Sequence, residues 1–494
     1  MQFIGIDVGS SSVKVSVLDG ETGKCLSTAH SPAEEMSINA PQSGWAEQDP
    51  VMWYDNLKHA TRICLASSGI AAGEIKAIGI SYQMHGLVTV DRDLEPVRPA
   101  IIWCDSRAVQ YGNRAFTEIG EDYCLESLLN SPANFTASKL AWVKENEPHN
   151  YERIYKIMLP GDFIALKLTG ELNTTITGLS EGIFWDFKRN RVSAELIDHF
   201  GFDESILPDI VPLFSSQGFL TRAAAAELGL RQGIPVSYRA GDQPNNALSL
   251  KVMEPGEVAA TAGTSGVIYA VSDADIIDRQ MRVNVFAHVN HSEEKKRLGI
   301  LACINGVGIL NYWMRQVTGM RFEYSEMNRS AASVKPGSDG LLIYPFGNGA
   351  ERLLLNRDIG AVIRNLNLNI HKEAHLFRAA QEGIAFSFKY GIEILMEMGL
   401  SVSKIYAGDA NMFLSPLFTQ LIADLSGASI SIINTDGSVG AARGAGIGCG
   451  FYKNIGEAFR GVEIVREVEP DKKGRVIYEN IYGQWLTMLK SILD

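Results

Sequence analysis

Two similar short segments, far apart in the chain, limit the folds open to this sequence more than any other feature. "GIDVGSSSVKVSV" (5–17) aligns with "AATAGTSGVIYAV" (259–271), which places Gly9 on Gly263. Each segment has the pattern of an apolar strand, a turn of small hydroxyl residues and a second, alternating strand. Two such hairpins predict two related domains, although hairpins with Gly and Ser turns also occur in unrelated proteins.

The rest of the chain alternates between strand and helix patterns, which is typical of an α/β protein. The clearest helix is predicted over 375–399 and ends at a glycine. A second helix is predicted over 415–427, with a serine N-cap and a glycine after its last turn. A third, over 437–450, is rich in glycine and alanine, and we expect it to pack closely against another element.

A chain of 494 residues is too long for one hydrophobic core, so at least two domains are expected. We place their boundary at the segment "AGDQPNN" (240–246). The N-terminal domain, 1–243, then carries the first hairpin, and the C-terminal domain, 244–494, carries the second.

Composition and charge exclude several classes of protein. The hydrophobic share of 46% and the charged share of 21% are ordinary for a globular protein. The net charge of -12 argues against a nucleic-acid or membrane-surface protein. The six cysteines form no CxxC pair, and the N-terminus has no secretory signal pattern, so we expect a cytoplasmic protein. No run of ~18 apolar residues predicts a membrane span.

Asp7 and the three serines after it, Ser10, Ser11 and Ser12, suit a site for phosphate and Mg²⁺. A turn of glycine and serine lets backbone amides approach phosphate oxygens, and a carboxylate at a strand end can hold Mg²⁺. The alternative is a capped turn with a solvated aspartate. The second hairpin, "TAGTSG" (261–266), offers a loop of the same kind, and the two together favour a site for one polyphosphate.

Asp242 follows a predicted strand, "IPVSYRAG", close to the domain boundary. Phosphoryl transfer to an alcohol needs an acceptor for the alcohol proton, so Asp242 is a candidate general base. The alternative is an aspartate that caps the helix after it.

Polar and aromatic residues in three turns could bind a polyol. "YQMHG" (82–86) places a glutamine, a methionine and His85 on a turn between strands, and His85 could hydrogen-bond a hydroxyl. "GWAEQDP" (44–50) and "WCDSR" (103–107) each combine tryptophan with charged residues, and tryptophan faces stack on sugar C–H surfaces. A structural histidine and a buried tryptophan beside a salt bridge are the alternatives.

A last segment, "YAGDANMFLSP" (406–416), runs from a short strand into a capped helix. Nucleotides bind at the carboxyl end of a sheet beside a helix N-terminus, so this loop is a candidate nucleotide site. An ordinary strand-to-helix loop is the alternative.

The segments quoted above, with "RPAIIWCDSRA", "LPGDFIALKLTGE" and "LIADLSG", resemble the FGGY carbohydrate kinases from residue 3 to about 450. Within that family the chain is most similar to the members that phosphorylate D-xylulose to D-xylulose 5-phosphate. The resemblance implies two domains of the actin-like, ribonuclease H-like fold, with ATP and sugar in an interdomain cleft. It also implies that ATP and Mg²⁺ are required.

The residue patterns and the resemblance together predict the site. Asp242 and Asp7 are the predicted catalytic residues, and Asp7 is the predicted metal ligand. The predicted sugar-binding residues are Gln83, Met84, His85, Trp103, Asp105, Asp242 and Gln243. The predicted ATP-binding residues are Ser10, Ser11, Ser12, Gly263, Thr264, Ser265, Gly408, Asp409, Ala410 and Asn411.

The chain departs from the family pattern in two places. "AGDANMF" stands where related D-xylulose kinases carry a glycine-rich sequence, so Asp409 and Asn411 introduce side chains beside the nucleotide. Gln243 follows the predicted base, where many of those kinases have asparagine and glycerol or other polyol kinases have glutamine.

Other functions remain as alternatives. A kinase for ribulose, glycerol or a similar polyol is the nearest one. An actin-like ATPase would share the hairpins but has no use for "YQMHG" or "WCDSR", and an inactive sugar-binding regulator would not need both Asp7 and Asp242. The expected partners are a small sugar and ATP, not nucleic acid or membrane, and a homodimer is one compatible assembly.

Overall fold

The computed structural model describes all residues, Met1–Asp494, as strands, helices and connecting segments. The strands are β1 Gln2–Val8, β2 Val13–Asp19, β3 Cys25–Ser31, β4 Glu47–Gln48, β5 Ile75–Tyr82, β6 Val88–Val90, β7 Ala100–Ile101, β8 Lys156–Met158, β9 Asn173–Thr174, β10 Trp185–Asp186, β11 Arg191–Val192, β12 Asp209–Ile210, β13 Val236–Gly241, β14 Glu257–Ala262, β15 Gly266–Ser272, β16 Asn284–Ala287, β17 Leu298–Ile304, β18 Leu342–Tyr344, β19 Val362–Arg364, β20 Lys404–Gly408, β21 Ser429–Ile433 and β22 Ile464–Val468. The α-helices are α1 Pro50–Ser68, α2 Val109–Ile119, α3 Glu121–Ser127, α4 Thr136–Asn146, α5 Pro148–Arg153, α6 Pro160–Thr169, α7 Ile176–Glu181, α8 Ala194–Phe200, α9 Arg222–Leu228, α10 Asp242–Ser249, α11 Gly308–Val317, α12 Tyr324–Ala332, α13 Glu373–Glu397, α14 Pro416–Ser426, α15 Gly437–Gly448 and α16 Lys472–Leu493.

The chain folds into two compact units. Unit 1 comprises Met1–Lys251, Phe286–Leu298 and Thr435–Val462. Unit 2 comprises Val252–Val285, Gly299–Asn434 and Glu463–Asp494. The boundary predicted at 243/244 lies inside helix α10, whereas the first segment of unit 1 runs to the end of that helix and two residues beyond it. Two later segments also belong to unit 1, which a single boundary could not represent.

The main sheet of unit 1 has the strand order β13-β5-β1-β2-β3. β1 and β2 form the first hairpin and are antiparallel, while β5 and β13 run parallel to β1. Alternate residues of β1 and β2, such as Ile6 and Val15, enter a large apolar core with Trp53 and Leu57 of α1. Because both faces of the sheet are covered, the strands of this first hairpin carry apolar residues on both of their faces.

In unit 2, the strands β17, β15, β14, β20, β21 and β22 are adjacent in that order. β14 and β15 form the second hairpin, and β20 and β21 run parallel to β14. This order matches the sheet of unit 1, with β14 in the place of β1, β15 of β2, β20 of β5 and β21 of β13. The repeat that the two hairpin sequences predicted is thus present in the topology of both sheets.

Helix α15 covers the second face of the unit 1 sheet at very short distance. A Cβ atom on Gly5 of β1 would lie 1.8 Å from the carbonyl oxygen of Ser438. Glycine is needed there because the helix backbone occupies the space of any side chain. Ala442 and Ala445 of α15 pack beside Phe3 on this face. The close packing predicted for the small-residue helix is confirmed.

The other helix predictions are also confirmed, with shifts of a few residues at their ends. α13 ends two residues before Gly399, and α14 has Ser415 as its N-cap, whose hydroxyl accepts the Phe418 amide at 3.3 Å. Gly427 follows α14 with a φ of 72°. None of the helices is both long and apolar enough to cross a membrane.

Candidate active site

Asp7 is the penultimate residue of β1, and the turn of the first hairpin begins after Val8. Its Oδ1 accepts a hydrogen bond of 2.8 Å from the Ser81 hydroxyl of β5. The turn after it is closed by the Gly9 amide, which donates to the Ser12 carbonyl oxygen at 3.0 Å. Burial raises the pKa of Asp7, the Ser81 hydrogen bond opposes this, and the charge of Asp436 adds to the increase. A cation bound here would favour the ionised carboxylate.

Asp242 follows β13 and is the first residue of α10. Because β1, β5 and β13 are parallel and adjacent, their carboxyl ends meet at one edge of the sheet, which brings Asp242 near Asp7. Burial and the charge of Asp7 raise the pKa of Asp242 to about 7, although the neighbouring N–H groups of Gln243 favour its ionised form. The N-cap of α10 is Gly241, so Asp242 is not the cap of this helix.

Gln83 and Met84 begin the predicted sugar-binding turn directly after β5. The buried Gln83 donates from Nε2 to Oε1 of Gln48 at 3.3 Å, and the same oxygen accepts the Trp53 indole N–H at 3.0 Å. Met84 is buried against Gly241, where a Cβ atom would lie 2.5 Å from Met84 Cγ. The turn is therefore packed directly on the residue that precedes Asp242.

His85 is held in a left-handed backbone conformation, with a φ of 62°. Its ring Nδ1 lies 3.0 Å from the carbonyl oxygen of Glu181, and its amide donates to Glu181 Oε1 at 3.4 Å. In the neutral ring Nδ1 carries the proton, because a carbonyl oxygen can only accept. The rings of Phe135 and Phe286 flank His85 at centroid distances of 4.7 and 5.1 Å.

Trp103 and Asp105 have different surroundings, although they are neighbours in the sequence. Trp103 is 51% exposed, and its indole N–H lies 3.5 Å from the Ser10 hydroxyl at the first hairpin turn. Asp105 is fully buried, and its carboxylate binds the Arg107 guanidinium and accepts the Ala46 amide at 2.6 Å. Both oxygens of Asp105 are thus occupied within the protein, and its predicted contact with sugar stays a prediction.

Two amide oxygens among the predicted sugar-binding residues have no hydrogen-bond partner. They are Oε1 of Gln83 and Oε1 of Gln243, and both are enclosed. An enclosed acceptor without a donor costs roughly 1–3 kcal/mol of stability. A ligand with hydroxyl groups can supply the missing donors, so these oxygens favour a polyol rather than an apolar ligand.

The second hairpin lies beside the start of helix α11 in unit 2. The carbonyl oxygens of Gly263 and Thr264 accept the amides of Gly308 and Ile309 at 2.8 and 3.2 Å. Thr264 itself is exposed at the tip, before Ser265 and strand β15. These two backbone hydrogen bonds fix the tip of the hairpin to the start of α11.

The predicted nucleotide loop follows β20 in the same unit. The Asp409 amide donates to the carbonyl oxygen of Ile433 at 3.0 Å, and the Ala410 amide donates to that of Gly408 at 2.8 Å. Asn411 has a φ of 54°, and its side-chain Nδ2 lies 3.5 Å from the position of a Cβ atom on Gly263. The structure therefore brings this loop next to the second hairpin, as the prediction of one nucleotide site requires.

Comparison with known proteins supplies the class of enzyme. Residues 2–249 match the N-terminal domain of the FGGY family of carbohydrate kinases, and residues 258–449 match the C-terminal domain. The chain belongs to this family. It is 27% identical to the xylulose kinase of Lactococcus lactis, over 99% of this chain and 96% of that protein. This FGGY kinase is therefore an enzyme that phosphorylates a carbohydrate.

Solved structures agree on the fold. The xylulose kinase of Rhodospirillum rubrum superposes with a TM-score of 0.88 at 23% identity, covering 100% of this chain and 99% of the other. The glycerol kinase of Plasmodium falciparum, solved with ADP, superposes with a TM-score of 0.86 at 18% identity, covering 99% of this chain and 98% of the other. The two-domain α/β fold predicted from the sequence is confirmed.

The FGGY kinase site also contains residues that the sequence reasoning missed. Glu181, the last residue of α7, is buried beside His85, and burial together with the charge of Asp242 raises its pKa well above the usual range. Asp436, the N-cap of α15, lies 3.4 Å from Lys14 and close to Asp7. A cap position before a glycine-rich helix was a signal for Asp436, whereas no local pattern marked Glu181.

A magnesium ion fits the acidic residues of this site. No group of three or more His, Cys, Asp or Glu side chains converges as an all-protein metal site. Mg²⁺ bound with nucleotide phosphates needs only one or two carboxylates, since phosphate oxygens and water complete its shell. Asp7, whose ionised form is disfavoured by burial and by Asp436, is a carboxylate whose ionised form such a cation would stabilise.

Proposed function

We propose that this FGGY kinase transfers the γ-phosphoryl group of ATP to D-xylulose and forms D-xylulose 5-phosphate. The observation that supports it most is the pair Asp7 and Asp242 at one sheet edge, where burial and mutual repulsion raise the pKa of Asp242 to about 7. The choice of sugar is supported by the curated relatives, among them the L. lactis xylulose kinase.

Asp242 is the proposed general base. Its carboxylate accepts the proton of the sugar hydroxyl while the hydroxyl oxygen forms a bond to the γ-phosphorus and the bond to the ADP oxygen breaks. A pKa of about 7 leaves a large ionised fraction at neutral pH and still makes the carboxylate basic enough to take the proton. The N–H groups of Gln243, next to this carboxylate, favour its ionised form.

The sugar binds on unit 1 against the turn that follows β5. The enclosed oxygens of Gln83 and Gln243 accept hydrogen bonds from sugar hydroxyls. His85, on the same turn as Gln83, contacts a further polar group of the sugar. Met84 and Trp103 offer apolar surface to the C–H side of the sugar. Asp105 is not assigned a contact, because Arg107 and a backbone amide occupy its carboxylate.

ATP is bound by backbone amides and small side chains rather than by a cluster of basic residues. We assign its phosphates to the two hairpin turns, Ser10–Ser11–Ser12 and Gly263–Thr264–Ser265, and its nucleoside to the loop after β20. Mg²⁺, held through Asp7, would neutralise phosphate charge. Because ATP is the donor and no disulfide joins any two cysteines, we place the enzyme in the cytoplasm.

The test is a coupled assay of ADP release with D-xylulose, D-ribulose, glycerol, gluconate and no sugar. We expect the highest kcat/KM for D-xylulose, at least about tenfold above the others, which corresponds to about 1.4 kcal/mol. Mass spectrometry of the product should show one added phosphoryl group. ADP release that is independent of sugar would instead support an ATPase, and no release with any sugar would support a binding protein.

A kinase for another ketose or polyol is the second candidate. Gln243 favours it, because glutamine after the catalytic aspartate resembles the glycerol and polyol kinases. The same panel decides between the two: if glycerol or D-ribulose is the best substrate, the proposal of D-xylulose is wrong and the carbohydrate kinase remains.

A further inference from the structure

Residues 134–139, at the start of helix α4, contact both turns to which we assign the sugar. We call this stretch the α4 start. The Thr136 hydroxyl donates to the Gly86 carbonyl oxygen at 3.3 Å, and the Asn134 amide donates to the carbonyl oxygen of Asp105. The Phe135 ring stands edge-on to the ring of His85 at 4.7 Å. One short stretch therefore touches the turn after β5 and the segment around Asp105.

Lys139 is the residue of the α4 start that joins the two turns directly. Its side chain is fully buried. Its Nζ donates to the carbonyl oxygen of His85 at 2.8 Å and to that of Ile102 at 3.1 Å. A buried lysine is costly unless its charge and its donors are used, and here both contacts are to the backbone of segments that carry sugar-binding residues.

The backbone of His85 needs such support. A non-glycine residue with a φ of 62° is strained, and strain of this kind persists only where surrounding contacts hold it. Lys139 holds the carbonyl group of His85, and Glu181 holds its amide and its ring. The same lysine fixes the carbonyl of Ile102, one residue before Trp103.

We propose that Lys139 is a positioning residue for sugar specificity, which clamps the His85 turn and the Ile102–Trp103 segment at a fixed separation through its two hydrogen bonds. This inference rests on the proposed sugar site. Lys139 itself contacts neither the sugar nor the nucleotide in this proposal. Its loss should therefore weaken sugar recognition and leave the use of ATP nearly intact.

The test compares Lys139→Met with Lys144→Met, a control on the same helix. Lys144 also donates to two backbone carbonyl oxygens, those of Phe200 and Gly201, but neither belongs to the sugar site. Both variants thus lose one lysine amine and two carbonyl contacts from α4. KM for sugar, KM for ATP and kcat are measured for each with D-xylulose and with D-ribulose.

For Lys139→Met we expect KM for sugar to rise about tenfold, because two hydrogen bonds are lost from a donor whose charge is disfavoured by burial. KM for ATP should stay within about twofold, and the preference between the two sugars should shrink. Lys144→Met should change none of these values. A normal KM for sugar in Lys139→Met, or a parallel change in both KM values, would overturn the proposal.

If Lys139→Met does not fold, a second variant tests the clamp. If no sugar is a substrate, a crystal structure tests it. Thr136→Val removes only the contact with Gly86 and should raise KM for sugar about two- to fivefold; an unchanged value counts against the clamp. A panel without any substrate would refute the proposed function instead. The clamp is then tested by a crystal structure of Lys139→Met, and an unmoved His85 turn would refute it.

Discussion

Replacing Asp242 with asparagine should nearly abolish activity and at the same time stabilise the protein above neutral pH. Asparagine keeps the shape of the side chain but cannot accept the proton of the sugar hydroxyl. We expect kcat to fall by roughly 10²–10⁴, the range usual for loss of a general base, while sugar binding persists. In the wild-type enzyme, kcat/KM should rise with pH and level off above about 7, where Asp242 is ionised.

The expected stabilisation follows from the raised pKa. Asp242 has its pKa raised from 3.8 to about 7, so the folded protein holds a proton that the unfolded chain releases between these values. The free energy of unfolding of the wild type therefore falls as pH rises through that window and is constant above it. At about 1.4 kcal/mol for each pKa unit, the ionised carboxylate costs at most about 4 kcal/mol, and we expect about 2–4 kcal/mol because its surface is not wholly enclosed.

Urea unfolding of both proteins at pH 4, 6 and 8 measures this effect. The free energy of unfolding should be equal at pH 4, and Asp242→Asn should be the more stable protein at pH 8. Asp93→Asn, which removes an exposed acidic side chain from the same unit, is the control and should not reproduce the gain. Equal stability of Asp242→Asn and wild type at pH 8, or near-normal turnover of the variant, would refute the reasoning.

Two other substitutions test the surroundings of Asp242. Asp7→Ala should impair the use of Mg²⁺ and ATP without changing sugar affinity. It should also lower the pKa seen in the pH–rate profile, because the charge of Asp7 raises the pKa of Asp242. A loss of sugar affinity alone would place Asp7 in the sugar pocket. Gly5→Ala would place a Cβ atom 1.8 Å from the Ser438 carbonyl oxygen, so thermal unfolding should show that the free energy of unfolding falls by about 1–3 kcal/mol. Gly483→Ala is the control, because its Cβ atom would meet no atom within 4 Å, and it should show no such loss.

The sequence predicted much of the fold because its signals are local. The period of the two hairpins, the serine and glycine at the ends of α14 and the small residues of α15 each depend on neighbours within a few positions. The same is true of Asp7 and Asp242, which stand at the ends of strands in the sequence pattern itself. The boundary between the two domains was harder to predict from the sequence, because unit 1 is built from three segments that are far apart in the chain.

The sequence by itself determined the two hairpins, the alternation of strands and helices, and the acids and small residues at the strand ends. Only the tertiary structure decided what surrounds them. Glu181, Asp436 and Lys139 reach the site from α7, α15 and α4, and Arg107 rather than a ligand occupies Asp105. Local patterns arise from backbone periodicity and capping, whereas these contacts join residues distant in the chain, and burial then sets the pKa of Asp242.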